Sequence, residues 1–323
     1  MFDCSVIIRC CNEEKHIGRL LIGIREQTIR NVKMIVVDSG STDHTLEIAS
    51  KYPTEILKIP PREFSFGRSL NLGCRYATSP FIVIASAHVY PVYDTWLERL
   101  LAPFAQKEIA LVYGKQRGDE STRYSERQVF AKWFPDQSNA NQEHPFCNNA
   151  NAAIRRELWE KMPYNEALTG LEDLDWAQRA LRSGHRLAYC AEAEVIHIHN
   201  ETPSRIYNRY RREAIAFKRI FPNERFRFGT FLNLLSRNIL SDYYHALHDH
   251  CLRENALLIL LFRLMQFWGT YRGSVQCRPL DNELRQTFYY PRGLKRHDHG
   301  VPRPTNGSPI DYTSKATEEK IVG

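Results

Sequence analysis

With 323 residues, 43% hydrophobic and 25% charged, the chain can bury a sizeable core, which excludes a globally disordered protein and fits one large α/β domain with an appended region. The net charge of +7 is modest, but arginines gather between Arg205 and Arg227, as a positive face for phosphates or as a solvated helix face. The longest uninterrupted apolar run, Ala256–Phe262, is far below the roughly 20 residues that cross a bilayer, so no transmembrane span is expected.

In chain order, Ser5–Arg9 reads as a buried strand, too short an apolar run for a secretory signal. A turn at Asn12–Glu14 follows, then Ile17, Leu20, Leu21 and Ile24 at helical spacing. Lys33–Asp38 is a second strand, Thr45–Lys51 a helical stretch and Phe81–Ala85 a third strand. This β-α-β-α-β rhythm predicts an α/β fold with a parallel sheet, its ligand groups on the loops after the strand ends. Further on, Glu157–Lys161 and Leu174–Leu181 look helical, and Asn148, Asn149 and Asn151 precede an expected Ala152–Trp159 helix. Beyond Thr202 the strand signal fades into the helices Arg205–Arg219, Leu232–His248 and Leu252–Trp268. The expected organisation is a catalytic-type domain over 1–203, a helical region over 204–290 and an extended or disordered tail over 291–323. The eight cysteines are expected to be buried free thiols, since no C-x-x-C pair occurs. Residence in the cytoplasm, or at the cytoplasmic membrane face, is the matching expectation.

Three polar clusters lie at or after strand ends. Asp38 closes a strand and opens the small-residue turn Ser39-Gly40-Ser41-Thr42-Asp43. It can accept an N–H from a nucleobase, or the turn can simply cap a helix. Ser86-Ala87-His88 follows the next strand, where a side chain can reach a metal that bridges two phosphates; a lone histidine is more often structural. The third cluster, Glu172-Asp173-Leu174-Asp175, places three carboxylates just before a helix, and His197 and His199 follow it. Such acids complement a helix dipole, yet one of them in a cleft can serve as a base. His197 and His199 alternate along a strand and so share a face, where one of them can join His88 at a metal.

The ordered series Ser5-Val6-Ile7-Ile8, Asn12-Glu13-Glu14, Gln27-Thr28, Val36 to Asp43, Asn71-Leu72-Gly73 and Gly170-Leu171-Glu172-Asp173 resembles family 2 glycosyltransferases over about residues 4–200. The resemblance implies a GT-A fold: a mostly parallel nucleotide-binding sheet flanked by helices, with a C-terminal helical region. It implies that Asp38, with Ser39 and Asp43, meets the nucleotide of a sugar donor, near Asn12 and Glu13. It further implies Asp173 as the base beside Glu172, and a diphosphate contact in the Gly67–Gly73 segment. There the arginine usual before Asn71 is replaced by Leu70, which leaves Arg68 as the candidate. The acidic metal motif is replaced by Ser86-Ala87-His88, a pattern similar to a Ser-Ala-His branch of the family.

The implied activity is an inverting transfer of one sugar from a nucleoside diphosphate to a hydroxyl of a glycan or lipid-linked acceptor, in surface polysaccharide synthesis. Mn²⁺ or Mg²⁺ is the implied cofactor, with His88, His197 and His199 as candidate ligands. Asn149 is a candidate for hydrogen bonds to sugar hydroxyls, against the alternative of a loop bonded to its own backbone. The alternative to an enzyme is a non-catalytic nucleotide-sugar-binding protein of the same fold. No nucleic-acid partner is expected, because no reading motif accompanies the arginines. The C-terminal helices are expected to meet a membrane surface, to pack within the protein or to form a homodimer.

Overall fold

The structure is a computed structural model and describes residues 3–199, 201–276 and 307–312. The chain opens with β1 (Cys4–Cys10), α1 (Ile17–Arg25), β2 (Val32–Asp38), α2 (Thr45–Ser50) and β3 (Thr54–Lys58). It continues through α3 (Phe66–Tyr76), β4 (Phe81–Ser86), β5 (Val89–Pro91), α4 (Trp96–Leu101) and β6 (Ile109–Arg117). Next come α5 (Tyr124–Trp133), β7 (Asn139–Gln142), β8 (Asn151–Arg155), α6 (Arg156–Lys161), α7 (Glu172–Arg182) and β9 (Arg186–His197). Three long helices, α8 (Pro203–Ile220), α9 (Phe228–His248) and α10 (Leu252–Ser274), follow.

The strands form one sheet in the order β3-β2-β1-β4-β8-β6-β9-β5, with β7 paired to β9. Neighbours from β3 to β4 are parallel, β8 runs against both β4 and β6, and β6 is parallel to β9. Six strands therefore share one direction, and the sheet is mostly parallel as expected. Val6 and Ile8 are buried on one face with Ile17, Leu20 and Leu21 of α1. Ile7 is buried on the other with Leu70 and Cys74 of α3. An apolar run buried on both sides is what a central parallel strand requires. Gly73 lets α3 lie close on it, because a Cβ there would meet Ile7 Cγ2 at 2.5 Å.

Two local readings are corrected. Thr54–Lys58 is an edge strand that the periodicity left unread, so Phe81–Ser86 is the fourth strand of the chain. The expected Ala152–Trp159 helix is instead strand β8 followed by α6 from Arg156. A short apolar run does not distinguish the two, and pairing with β4 and β6 decides for the strand.

Among the described residues no helix is long and apolar enough to cross a membrane. The helices α8 and α10 pack closely, with Gly269 against the Tyr207 carbonyl and Gly273 against that of Arg211. A buried ion pair, Arg263 Nε to Asp242 Oδ2 at 2.7 Å, joins α10 to α9, and Ser125 Oγ of α5 donates to the same carboxylate oxygen at 2.6 Å. Beyond α10, residues 307–312 lie on the sheet: Pro309 bridges Tyr93, and the Tyr312 hydroxyl donates to Pro91 O at 2.6 Å. The remainder of the 291–323 stretch lies outside the described residues.

Candidate active site

The strand register gathers chemistry at one edge of the sheet. Asp38 at the end of β2 stands beside Cys10 of β1, while Arg9 stands between Val37 and Ser86. Antiparallel β8 starts at Asn151 opposite Ala85, which brings the preceding Asn148–Asn149 loop to the same edge. Gln116 near the end of β6 faces Val195 of β9, and His197 faces Val89 of β5.

Asp38 is almost wholly buried. Its carboxylate accepts the N–H groups of Gly40 and Ser41, each at 3.1 Å, in a turn where Gly40 has φ of 101°. Asn12 Oδ1 accepts Thr42 N–H at 2.8 Å, and Ser39 Oγ donates to Cys10 O at 3.1 Å. Asp43, two residues before the start of α2, accepts Thr45 N–H at 3.0 Å and Glu14 N–H at 3.1 Å. The two loops are thus laced into one wall, with Asp43 joining them and Asp38 at its base.

The acidic cluster sits behind Leu171, whose left-handed backbone (φ 55°) turns the chain sharply into α7. Asp173 Oδ2 accepts Asn149 N–H at 3.0 Å and Oδ1 accepts Leu174 N–H at 2.8 Å. Burial, reinforced by the neighbouring Glu172 charge, raises its carboxyl to about 7, against the lowering effect of those two N–H groups and Arg9. The Asn149 side chain is buried beside it, with neither amide atom hydrogen-bonded among the described residues.

Arg9, which the motif reading passed over, pairs with Glu172, while Asp175 pairs with Arg179 at 2.9 Å. Arg9 Nη1 lies 3.3 Å from Glu172 Oε1 and the Arg9 guanidinium 4.8 Å from the Phe66 ring centroid. Arg212 of α8 lies over the same ring at 4.6 Å. Arg68, by contrast, pairs with Glu63 at 3.0 Å with its side chain half exposed. Asn71 is fully engaged away from the cleft: Nδ2 donates to Tyr164 O and Glu166 Oε1, while Oδ1 accepts from Trp159 Nε1 and Tyr164 N. It ties α3 to the segment before α7. A signal for Arg9 existed in the sequence, since a charge inside an apolar strand is costly unless paired.

The three histidines converge. The ring centroids of His197 and His199 are 4.1 Å apart, and His88 is 5.1 Å and 5.6 Å from them. One ring nitrogen of each lies within 4.8 Å of the others. His197 is deeply buried, its Nε2 has no hydrogen-bond partner among the described residues, and burial holds its basicity well below the ordinary histidine value. His88 is half-buried, and desolvation alone would lower its basicity, but the Glu13 carboxylate outweighs this and raises it. A second close group, Glu126, His199 and Glu201, is already served by a cation: Arg209 Nη2 reaches Glu126 Oε1 at 3.0 Å and Glu201 Oε2 at 2.7 Å. Ser86 and Ala87 place His88, with Ser86 N–H on Ala150 O at 3.3 Å and Ala87 fully buried.

The model of the family "Glycosyl transferase family 2" matches residues 5–162. The chain is 32% identical over 198 residues to the O-antigen chain rhamnosyltransferase WbaN of Salmonella anatum, covering 58% of this chain and 62% of that protein. It is 30% identical over 219 residues to the O-antigen chain rhamnosyltransferase RfbN of Salmonella typhimurium, covering 64% and 69% respectively. The mannosyltransferase PcManGT of Pyrobaculum calidifontis, solved in complex with GDP-Man and Mn²⁺, superposes with a TM-score of 0.58 at 17% identity over 90% of this chain and 88% of that one, a likeness of fold. Matched in sequence by these relatives and by the family's own model, the chain belongs to glycosyl transferase family 2.

Proposed function

We propose that the chain is an inverting glycosyltransferase that moves one hexosyl-type sugar from a nucleoside diphosphate donor to a hydroxyl of a glycan or lipid-linked acceptor in surface polysaccharide synthesis. The observation that carries this reading is Asp173, a buried carboxylate at the sheet edge raised to about 7. Such a group accepts a proton readily at neutral pH, which a general base must do. Each carboxylate oxygen takes one backbone N–H, which fixes its direction and leaves further acceptor capacity for the acceptor hydroxyl. As that proton moves to Asp173, the hydroxyl oxygen attacks the anomeric carbon from the side opposite the leaving diphosphate, and the configuration inverts.

The other residues divide the remaining work. Asp38 and the Asn12–Asp43 wall hold the nucleotide, Asn149 offers both amide atoms to sugar hydroxyls, and Arg9 offsets the paired charges of Glu172 and Asp173. The all-imidazole set His88, His197 and His199, with an orphaned buried nitrogen on His197, fits a divalent ion of intermediate hardness such as Mn²⁺ better than Mg²⁺. When bound, the ion would neutralise charge on the departing diphosphate.

The helical region over 204–276 supplies the acceptor-side wall. Arg209 and Arg212 of α8 point into the site, onto Glu126 and the Phe66 ring, so this part of the arginine cluster serves the cleft. Leu240 and Leu247 of α9 with Leu257 of α10 are exposed, and we assign this face to contact with a membrane surface or a second copy.

A thermal-shift panel of UDP-, GDP-, TDP- and CMP-sugars, with and without Mn²⁺, tests the reading, since a bound donor raises stability by mass action. One donor class should stabilise the chain, and Asp173→Asn should bind it but lose turnover. Stabilisation by none of them, or full turnover by the variant, would overturn the proposal.

A further inference from the structure

We infer that Glu13, Gln116 and Glu126 are positioning residues that set the tautomer of all three histidines and thereby turn the cluster into a metal site. The inference rests on the metal reading given above and assigns to Glu13 a task other than nucleotide contact. Glu13 Oε1 lies 2.8 Å from His88 Nδ1, Gln116 Oε1 2.7 Å from His197 Nδ1, and Glu126 Oε1 2.8 Å from His199 Nδ1. Each acceptor comes from a different part of the fold: the loop after β1, strand β6 and helix α5. The same nitrogen is engaged on every ring.

The chemistry of the partners decides what is left. An ionised carboxylate only accepts, so Glu13 and Glu126 require the proton of a neutral ring to sit on Nδ1. The lone pair is then on Nε2, which is the nitrogen free to ligate. Gln116 does the same for His197 through its carbonyl oxygen, and His197 Nε2 is buried with no hydrogen-bond partner among the described residues. An acceptor behind each ligating imidazole orients the ring and raises its basicity as a ligand. Three histidines drawn together without this shell would be free to present N–H groups to one another's faces instead.

The shell is itself supported from the helical region. Arg209 of α8 holds Glu126 at 3.0 Å while also holding Glu201, so the orientation of His199 depends on a helix far along the chain. Gln116 differs from the other two in being uncharged. Its carbonyl oxygen faces His197 Nδ1, and its buried amide nitrogen has no hydrogen-bond partner among the described residues.

The test is calorimetric titration of the full chain with Mn²⁺, repeated with Co²⁺, whose visible absorption reports the number of ligands. Glu13→Leu and Gln116→Leu remove the acceptor while keeping bulk, and each should weaken metal binding by about 10- to 100-fold. Glu13→Gln, which retains an acceptor oxygen, should recover most of the affinity, and Gln116→Glu should bind at least as tightly as the wild type. Thermal melting without metal identifies any variant that fails to fold, in which case the Glu13→Gln and Gln116→Glu pair decides. Wild-type affinity in both leucine variants, with loss in His88→Ala, would overturn the positioning role alone. Equal titrations of wild type and His88→Ala would overturn the metal reading and this inference with it.

Discussion

Asp173 is where burial, hydrogen bonding and charge meet on one residue. With its carboxyl raised to about 7, the ionised base gains population as pH rises through that value, so kcat/KM should climb with an acid limb near 7. Arg9 lowers that value, so Arg9→Gln should move the limb to higher pH, and a pH–rate profile of the two proteins checks it. An unmoved limb would mean that Arg9 acts on packing alone. For His88 the direction is also upward, because Glu13 favours its charged form, so protons should displace a metal from the site as pH falls from above the usual histidine value of about 6.5. His88→Ala should abolish Mn²⁺ stimulation, and His88→Asp should shift preference toward Mg²⁺, as activity across a metal series will show. Full wild-type activity in EDTA would remove the metal role. Besides the nucleotide contact proposed for it, the Asp38 carboxylate builds the turn through Gly40 and Ser41. Asp38→Asn keeps an acceptor oxygen for that turn but loses the charge, so donor affinity should fall by about tenfold or more, the lower end of a charged hydrogen bond of about 1.5–3 kcal/mol. Calorimetry with the stabilising nucleotide measures this, and an unchanged dissociation constant would leave Asp38 as a turn residue.

At the scale of elements, the contact between α8 and α10 sets the position of the helical wall. A Cβ at Gly269 would meet the Tyr207 carbonyl oxygen at 2.4 Å, and one at Gly273 the Arg211 carbonyl oxygen at 2.3 Å. Backbone atoms cannot rotate away, so the helices must separate. Gly269→Ala should therefore destabilise the chain by about 1–3 kcal/mol in urea unfolding, as overpacking does. Because Arg209 and Arg212 lie on α8, the same change should also weaken Mn²⁺ binding at the His199 side. Stability and metal affinity equal to wild type would show that α8 and α10 can part without cost. The strand β8 makes a different point about elements. Its sequence Asn-Ala-Ala-Ile-Arg has no helix-breaking residue, and only its two antiparallel neighbours make it a strand.

Across the whole molecule, the boundary near residue 203 separates sequence patterns more cleanly than it separates contacts. Ser125 and Glu126 of α5 bond to Asp242 and Arg209 of the helical region, and the Asp242–Arg263 pair is buried against them. Truncation before Arg205 would leave Glu126 and Glu201 without Arg209 and expose the apolar side of α5. Transfer to the natural acceptor should be lost, and donor stabilisation by Mn²⁺ should weaken as well. Donor hydrolysis, acceptor transfer and thermal shift, measured separately on the truncated chain, check this. Full transfer would show that the helices serve some other purpose.

Much of the fold and part of the site were legible from local order. The strand ending at Asp38, the strand opening at Phe81 and the helix that goes with the acidic cluster follow from periodicity and short-range spacing, because the atoms that define them are neighbours in the chain. The tertiary structure alone decided the rest. It brought Arg9 against Glu172, withdrew Asn71 into a tie with Trp159 and Tyr164, left Arg68 on Glu63, and set Glu13, Gln116 and Glu126 behind three histidines. These are pairings between residues distant in the chain, and their partners are selected by strand order and helix packing, which no local pattern encodes.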